Sequence, residues 1–224
     1  MRFYYIYDIL NMFLFMNRYC KKQARKTFFS SFSINRSKIE NAEYFCLNTQ
    51  VFREEPDMTP EHPIILCGFT SSGKTTIGKL LSEQLGLPFY DTDQMLIEHY
   101  KMTIPEIFAK GGESLFRDYE HEIARQVCGL GPSVVSTGGG MLTFDRNGEI
   151  LEKSGTIFYI DRPFEDCYRN LALHPERPLF KNHTKEEIEN TYLTRRGLYK
   201  KYAKYDIPNT KGPQDAVEKI CALL

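Results

Sequence analysis

Gly68-Phe69-Thr70-Ser71-Ser72-Gly73-Lys74-Thr75 is the stretch of this chain that decides how it folds. It fits G-x-x-x-x-G-K-[ST], the pattern of a loop whose backbone wraps a phosphate. Ahead of it, Ile64-Ile65-Leu66-Cys67 is a short apolar run of strand length. Behind it, Ile77, Leu80, Leu81 and Leu85 recur at helical spacing. The loop therefore joins a strand to a helix N-terminus, where unpaired backbone N–H groups and the helix dipole favour an anion. The two glycines let the backbone turn tightly. Lys74 is placed to reach β- and γ-phosphates, and the Thr75 hydroxyl suits Mg²⁺. A Gly/Ser-rich loop arising by chance would lack both flanking elements.

Outward from this loop, short apolar runs alternate with helical patterns. Strands are predicted at 64–67, 88–90, 133–136, 156–160 and, more weakly patterned, 205–207. Helices are predicted at 74–86, 93–101, 104–110, 113–129, 144–153, 164–173, 184–203 and 213–223. This alternation argues for an α/β fold with a parallel sheet covered on both faces. There is no internal repeat and no low-complexity tract.

The length of 224 residues suits one sizeable domain with an appendage. Lys+Arg and Asp+Glu are both 29, and so even a balance gives no global electrostatic pull toward nucleic acid. Six cysteines, at positions 20, 46, 67, 128, 167 and 221, form no C-x-x-C pair, so metal or redox chemistry has no motif here and a reducing compartment is expected. Cys67 reads as a small core residue.

Residues 1–57 differ from the rest. Phe3–Met16 is apolar and aromatic but is broken by Asp8 and Asn11, too short and polar for a transmembrane span. Eight basic residues and one acid, Asp8, fall within Met1–Ile39. That composition suits an organelle transit peptide. The preferred reading is plainer: Met58 is the true start, and residues 1–57 are upstream sequence. Either way the extension is expected to be disordered, with 58–224 as the folded domain.

Further polar groups sit where the pattern brings strand ends together. Asp91-Thr92-Asp93 follows a predicted strand, whose C-terminal end faces the ligand crevice of a parallel sheet. One carboxylate would serve a metal and the other an acceptor; the simpler role for Asp93 is to cap a helix starting near Gln94. Arg117 and Glu120 share a helix face three residues apart, which by itself reads as a surface ion pair. Thr137-Gly138-Gly139-Gly140 ends another strand and exposes bare backbone N–H groups. Arg177 lies in a polar stretch that reads as a mobile loop, suited to closing on phosphates. Arg195 and Arg196 are adjacent on a late helix.

In order and spacing, GFTSSGKTTIGKLL, FYDTD, IFAKGGESLFRDYE, VVSTGGG, ERPL and RRGLY resemble the shikimate kinase family over about residues 63–223. The resemblance implies a P-loop, nucleoside-monophosphate-kinase-like three-layer sandwich with a central five-stranded parallel sheet. It implies transfer of the ATP γ-phosphoryl group to the 3-hydroxyl of shikimate, on the route to chorismate and aromatic amino acids. Lys74, Asp93 and Arg177 would be catalytic. Ser71, Ser72, Gly73, Lys74, Thr75, Thr76 and Arg177 would hold ATP. Asp93, Arg117, Gly139, Gly140 and Arg195 would hold shikimate, the arginines on its carboxylate. Thr75 would ligate Mg²⁺, with Asp91 in the ion's outer shell. ATP is then a co-substrate and Mg²⁺ the cofactor of a monomeric cytoplasmic enzyme, with no nucleic-acid or membrane partner; a transit peptide would place it in an organelle instead.

This sequence departs from the family pattern at three places. Ser71 stands where the family usually has glycine, Gly197 replaces a proline in R-x-P-L-Y, and Asn170 takes the place of an arginine, with Arg169 beside it. Arg195 is matched to the family arginine because it precedes Tyr199 by four residues. Two competing functions share the loop: a gluconate kinase-like enzyme, and a degenerate nucleotide binder without turnover.

Overall fold

The apolar run ahead of the loop forms β1 (Ile64–Cys67), and all four residues are buried. The computed structural model of the chain describes residues 60–173 and 183–224; residues 1–57 and Arg177 lie outside them. Four further strands follow: β2 (Phe89–Asp91), β3 (Val134–Ser136), β4 (Thr156–Asp161) and β5 (Tyr205–Pro208). All pairings are parallel, in the order β2-β3-β1-β4-β5. Ile64 stands opposite Val134 on one side and Thr156 on the other. From β1 the chain builds first toward β2 and β3, then crosses to β4 on the opposite side. The crevice outside the C-terminal ends of β1 and β3 is where such a sheet binds ligands.

Side chains alternate across the sheet. Ile64 and Leu66 pack with Ile77 and Leu81 of α1 (Lys74–Leu85) and with Val217 and Ile220 of α7 (Pro213–Cys221). Ile65 and Cys67 face the other layer: Ile123 and Val127 of α3 (Ile104–Val127), Leu151 of α4 (Asp145–Ser154) and Tyr199 of α6 (Lys185–Tyr202). With both faces covered, each position of a central strand can be apolar, which is why β1 and residues 157–160 of β4 read as continuous apolar runs. The result is the expected three-layer sandwich.

Side-chain caps fix the starts of three helices. Thr103 and Glu106 form a capping box on α3, and Thr184 and Glu187 form another on α6. The second predicted helix begins one residue early, as α2 (Thr92–Tyr100), and its cap is Asp91, whose side chain accepts from Asp93 N at 3.1 Å. Asp93 is therefore not the capping residue. The helices predicted at 104–110 and 113–129 follow one another directly within α3, separated by a kink at Gly112 with φ 67 and ψ −161. Two shorter helical pieces complete the fold: a 3₁₀ turn at Met141–Thr143 and α5 (Phe164–Leu171).

Candidate active site

The phosphate loop leaves β1 through Gly68 (φ 147) and enters α1 through Gly73 (φ 99). Ser71 between them also has positive φ, 63°. A serine held in this left-handed region is strained by about 1–2 kcal/mol, which is what replacing the usual glycine costs. Asn209, beyond the end of β5, braces the loop from outside, its Nδ2 donating to Ser72 O at 2.8 Å. Lys74 Nζ donates to Gly68 O and Phe69 O, each at 2.9 Å. Burial pulls the Lys74 ammonium below the ordinary lysine range, and Asp93 leads the groups that oppose this. The Thr75 hydroxyl donates to Asp91 Oδ2 at 3.0 Å and lies 3.4 Å from Ser136 Oγ.

At the far end, Arg117 is held from two sides. Its Nη1 donates to Glu120 at 2.5 Å, while Nε and Nη2 donate to Glu113 Oε1 at 3.1 and 2.8 Å. Arg117 is 5% exposed and Glu120 2%, so this is not the surface pair that helix spacing alone suggests. Burial works against the Arg117 charge, but the two glutamates more than offset it and raise its pKa. Burial dominates at Glu120, pushing its carboxyl up to about 7 against the pull of Arg117.

At each of the three glycines a side chain would crowd a neighbouring polar group. A Cβ on Gly138 would stand 2.5 Å from Asp93 Oδ1, one on Gly139 2.8 Å from Thr70 Oγ1, and one on Gly140 would overlap the Arg117 guanidinium. Gly139 O accepts from the Tyr199 hydroxyl at 2.5 Å and from Arg195 Nη1 at 3.4 Å. Among the described residues no acceptor faces the N–H groups of Gly139 and Gly140, and both residues line the cavity. The adjacent arginines separate cleanly: Arg195 lines the cavity, whereas Arg196 pairs with Asp161 at 2.8 Å.

One cavity of about 660 Å³ gathers these groups: Ser71, Gly73, Lys74, Thr75, Thr76 and Asp91 of the phosphate-loop end, Arg117, Glu120 and Arg195 of the arginine end, and Asp93. Ile104, Pro105, Phe108 and Phe116 give it an apolar side. Asn170 also lines it, while Arg169 is exposed and pairs with Asp166. Ser72 lies behind the loop, buried. Sequence reasoning missed Tyr199, Asn209 and Glu113 as site residues; only Tyr199 carried a signal, lying one helical turn beyond Arg195.

A shikimate kinase family model matches residues 70–224. The chain belongs to the shikimate kinase family. It is 38% identical to a shikimate kinase of Aquifex aeolicus over 157 residues, 70% of this chain and 92% of that one. It is 38% identical to that of Caldicellulosiruptor bescii over 162 residues, covering 71% and 94%. Among solved structures it is similar to the shikimate kinase from Acinetobacter baumannii in complex with shikimate (TM-score 0.70, 32% identity, 75% of this chain and 96% of that one). The fold is thus that of the P-loop, nucleoside-monophosphate-kinase-like proteins to which this family belongs.

Proposed function

We propose that this protein transfers the γ-phosphoryl group of ATP to the 3-hydroxyl of shikimate, giving shikimate 3-phosphate and ADP. The observation that carries this reading is the convergence of a phosphate loop and a two-arginine, bare-backbone end on a single cavity. An anion rich in hydroxyls fits the second end. Arg117 and Arg195 hold its carboxylate, the N–H groups of Gly139 and Gly140 meet its oxygens, and Asp93 accepts from its hydroxyls. Asp93 orients the attacking hydroxyl and takes its proton. Tyr199 holds the glycine turn against α6, so that the turn and Arg195 keep a fixed spacing.

At the other end Lys74 neutralises the β- and γ-phosphates, and the N–H groups of Ser71 to Thr76 surround them. Arg177, outside the described residues, is assigned by the family pattern to the same phosphates. Phosphoryl transfer demands alignment and charge neutralisation more than covalent help, and these residues supply both. The oxygens of Thr75 and Asp91 suit Mg²⁺, a hard cation that takes one or two protein ligands and completes its shell with water and phosphate. Thr75 would ligate it directly and Asp91 through water. When bound, the ion supplies further neutralisation of the transferring group.

The reading includes a cytoplasmic monomer: one chain supplies every group, and the unpaired Cys67, Cys128, Cys167 and Cys221 suit a reducing compartment. Phosphorus NMR of the product formed from Mg·ATP and shikimate tests the reaction. A new phosphomonoester on the carbon-3 oxygen is expected, whereas phosphate on another hydroxyl, or none on shikimate, would refute the assignment.

A further inference from the structure

Arg162 lines the cavity at its phosphate-loop end and has no part in the roles assigned above. It emerges directly after β4, where the loop packs against the strand: a Cβ on Gly68 would stand 2.7 Å from Ile160 O. Its own backbone is pinned, since Arg162 O accepts from the Tyr192 hydroxyl at 3.0 Å. Its neighbour Asp161 does not neutralise it. Asp161 is occupied by Arg196 at 2.8 Å and by the Tyr159 hydroxyl at 2.9 Å. Among the described residues Arg162 has no carboxylate partner. Of the five N–H donors a guanidinium carries, one makes a long contact, Nη1 to Ser71 O at 3.5 Å, and the buried Nε has no acceptor.

We infer that Arg162 is a nucleotide-binding residue, its guanidinium gripping the polyphosphate oxygens beside Ser71. Three observations favour phosphate over the acceptor's carboxylate. Arg162 borders the loop itself, its fork lies against the loop residue in the strained conformation, and the arginines of the acceptor end come from α3 and α6 instead. A planar fork suits phosphate oxygens. A cation fixed to the sheet would also steady a loop whose Ser71 has lost the freedom of glycine. The inference rests on the kinase reading only for the presence of a nucleotide, not for the identity of the acceptor.

The test is calorimetric titration of the full chain, without any acceptor, using Mg·ADP and inorganic tripolyphosphate as probes. Arg162→Ala is expected to weaken both at least tenfold, with an unchanged thermal midpoint. Arg162→Lys, which keeps the charge and the stem, should fall between wild type and alanine, and carries the test alone if the alanine variant does not fold. Affinities within twofold of wild type would overturn the inference. So would weaker ADP binding with unchanged tripolyphosphate binding, because the contact would then be to the base. Wild-type protein that bound neither probe would bring down the kinase reading itself, and this inference with it.

Discussion

In the proposed reading, acceptor binding turns on Arg117. Its guanidinium is fixed by Glu120 inside the protein and by Glu113 at the rim, so it meets a carboxylate already oriented. Arg117→Ala should raise KM for shikimate by about tenfold or more, the scale of a lost charge-assisted pair, and change KM for ATP less than threefold. Steady-state kinetics with each substrate varied would show this; equal effects on both would make Arg117 a structural partner of its glutamates. Glu120 gives a pH signature. Its folded pKa of about 7 lies above the ordinary glutamate value of 4.5. The folded state therefore binds more protons between those values, and the stability tied to protonated Glu120 is complete below the lower one and lost as pH rises through the upper. Denaturant titrations from pH 4.5 to 8 should show wild type losing stability relative to Glu120→Gln across that window; parallel curves would contradict the assignment. That Lys74, Thr75, Asp93, Arg117 and Arg195 line one cavity was legible in the sequence because each belongs to a short motif of fixed spacing. Arg162 and Asn209 act across 91 and 137 residues respectively, and no local pattern announces a contact made by tertiary packing. Burial of the Arg117–Glu120 pair was equally illegible, since spacing of three residues names a shared face but not what covers it.

Two glycines in helical rods separate local propensity from backbone strain. Gly197 sits in α6 with nothing within 4 Å of an added Cβ, and Gly112 in α3 is just as open. Gly197 keeps helical backbone, but Gly112 has φ 67 and ψ −161, a region that side chains avoid. Gly197→Ala should therefore stabilise the protein by about 0.5–1 kcal/mol, and Gly112→Ala should destabilise it by at least about 1 kcal/mol. Chemical denaturation of the two variants measures both signs; a stabilising Gly112→Ala would mean that the break in α3 is not required. The same break explains why separate helices at 104–110 and 113–129 could be read from sequence: the Gly111-Gly112 pair interrupts the apolar spacing. The strands were legible for a different reason. β1 and residues 157–160 of β4, buried on both faces, appear as short uninterrupted apolar runs, whereas β2 and β5 are only partly buried and include Asp91 and Asp206. The extra turn at Met141–Thr143 was not legible, because it is held by bonds from Met141 N to Gly138 O and Thr143 N to Gly140 O, a consequence of the glycine turn rather than of any helical pattern.

The whole molecule divides its labour along one sheet. Among the described residues the strands run from Ile64 to Pro208, and those that line the cavity fall between Thr70 and Arg195. We propose on this ground that residues 58–224 form a self-sufficient domain. Protein lacking residues 1–57 should stay soluble, melt cooperatively and keep turnover within about twofold of the full chain; aggregation or loss of activity would show that the extension contributes to the fold. The central claim is that the two ends of the cavity join a nucleotide phosphate to shikimate. Its most direct test is a coupled ADP-release assay on the full chain with Mg·ATP, comparing shikimate, gluconate and no acceptor, with Lys74→Met as the control. Release that requires shikimate and disappears in Lys74→Met is the predicted result. Release driven by gluconate instead, or no acceptor-dependent release at all, would contradict the account.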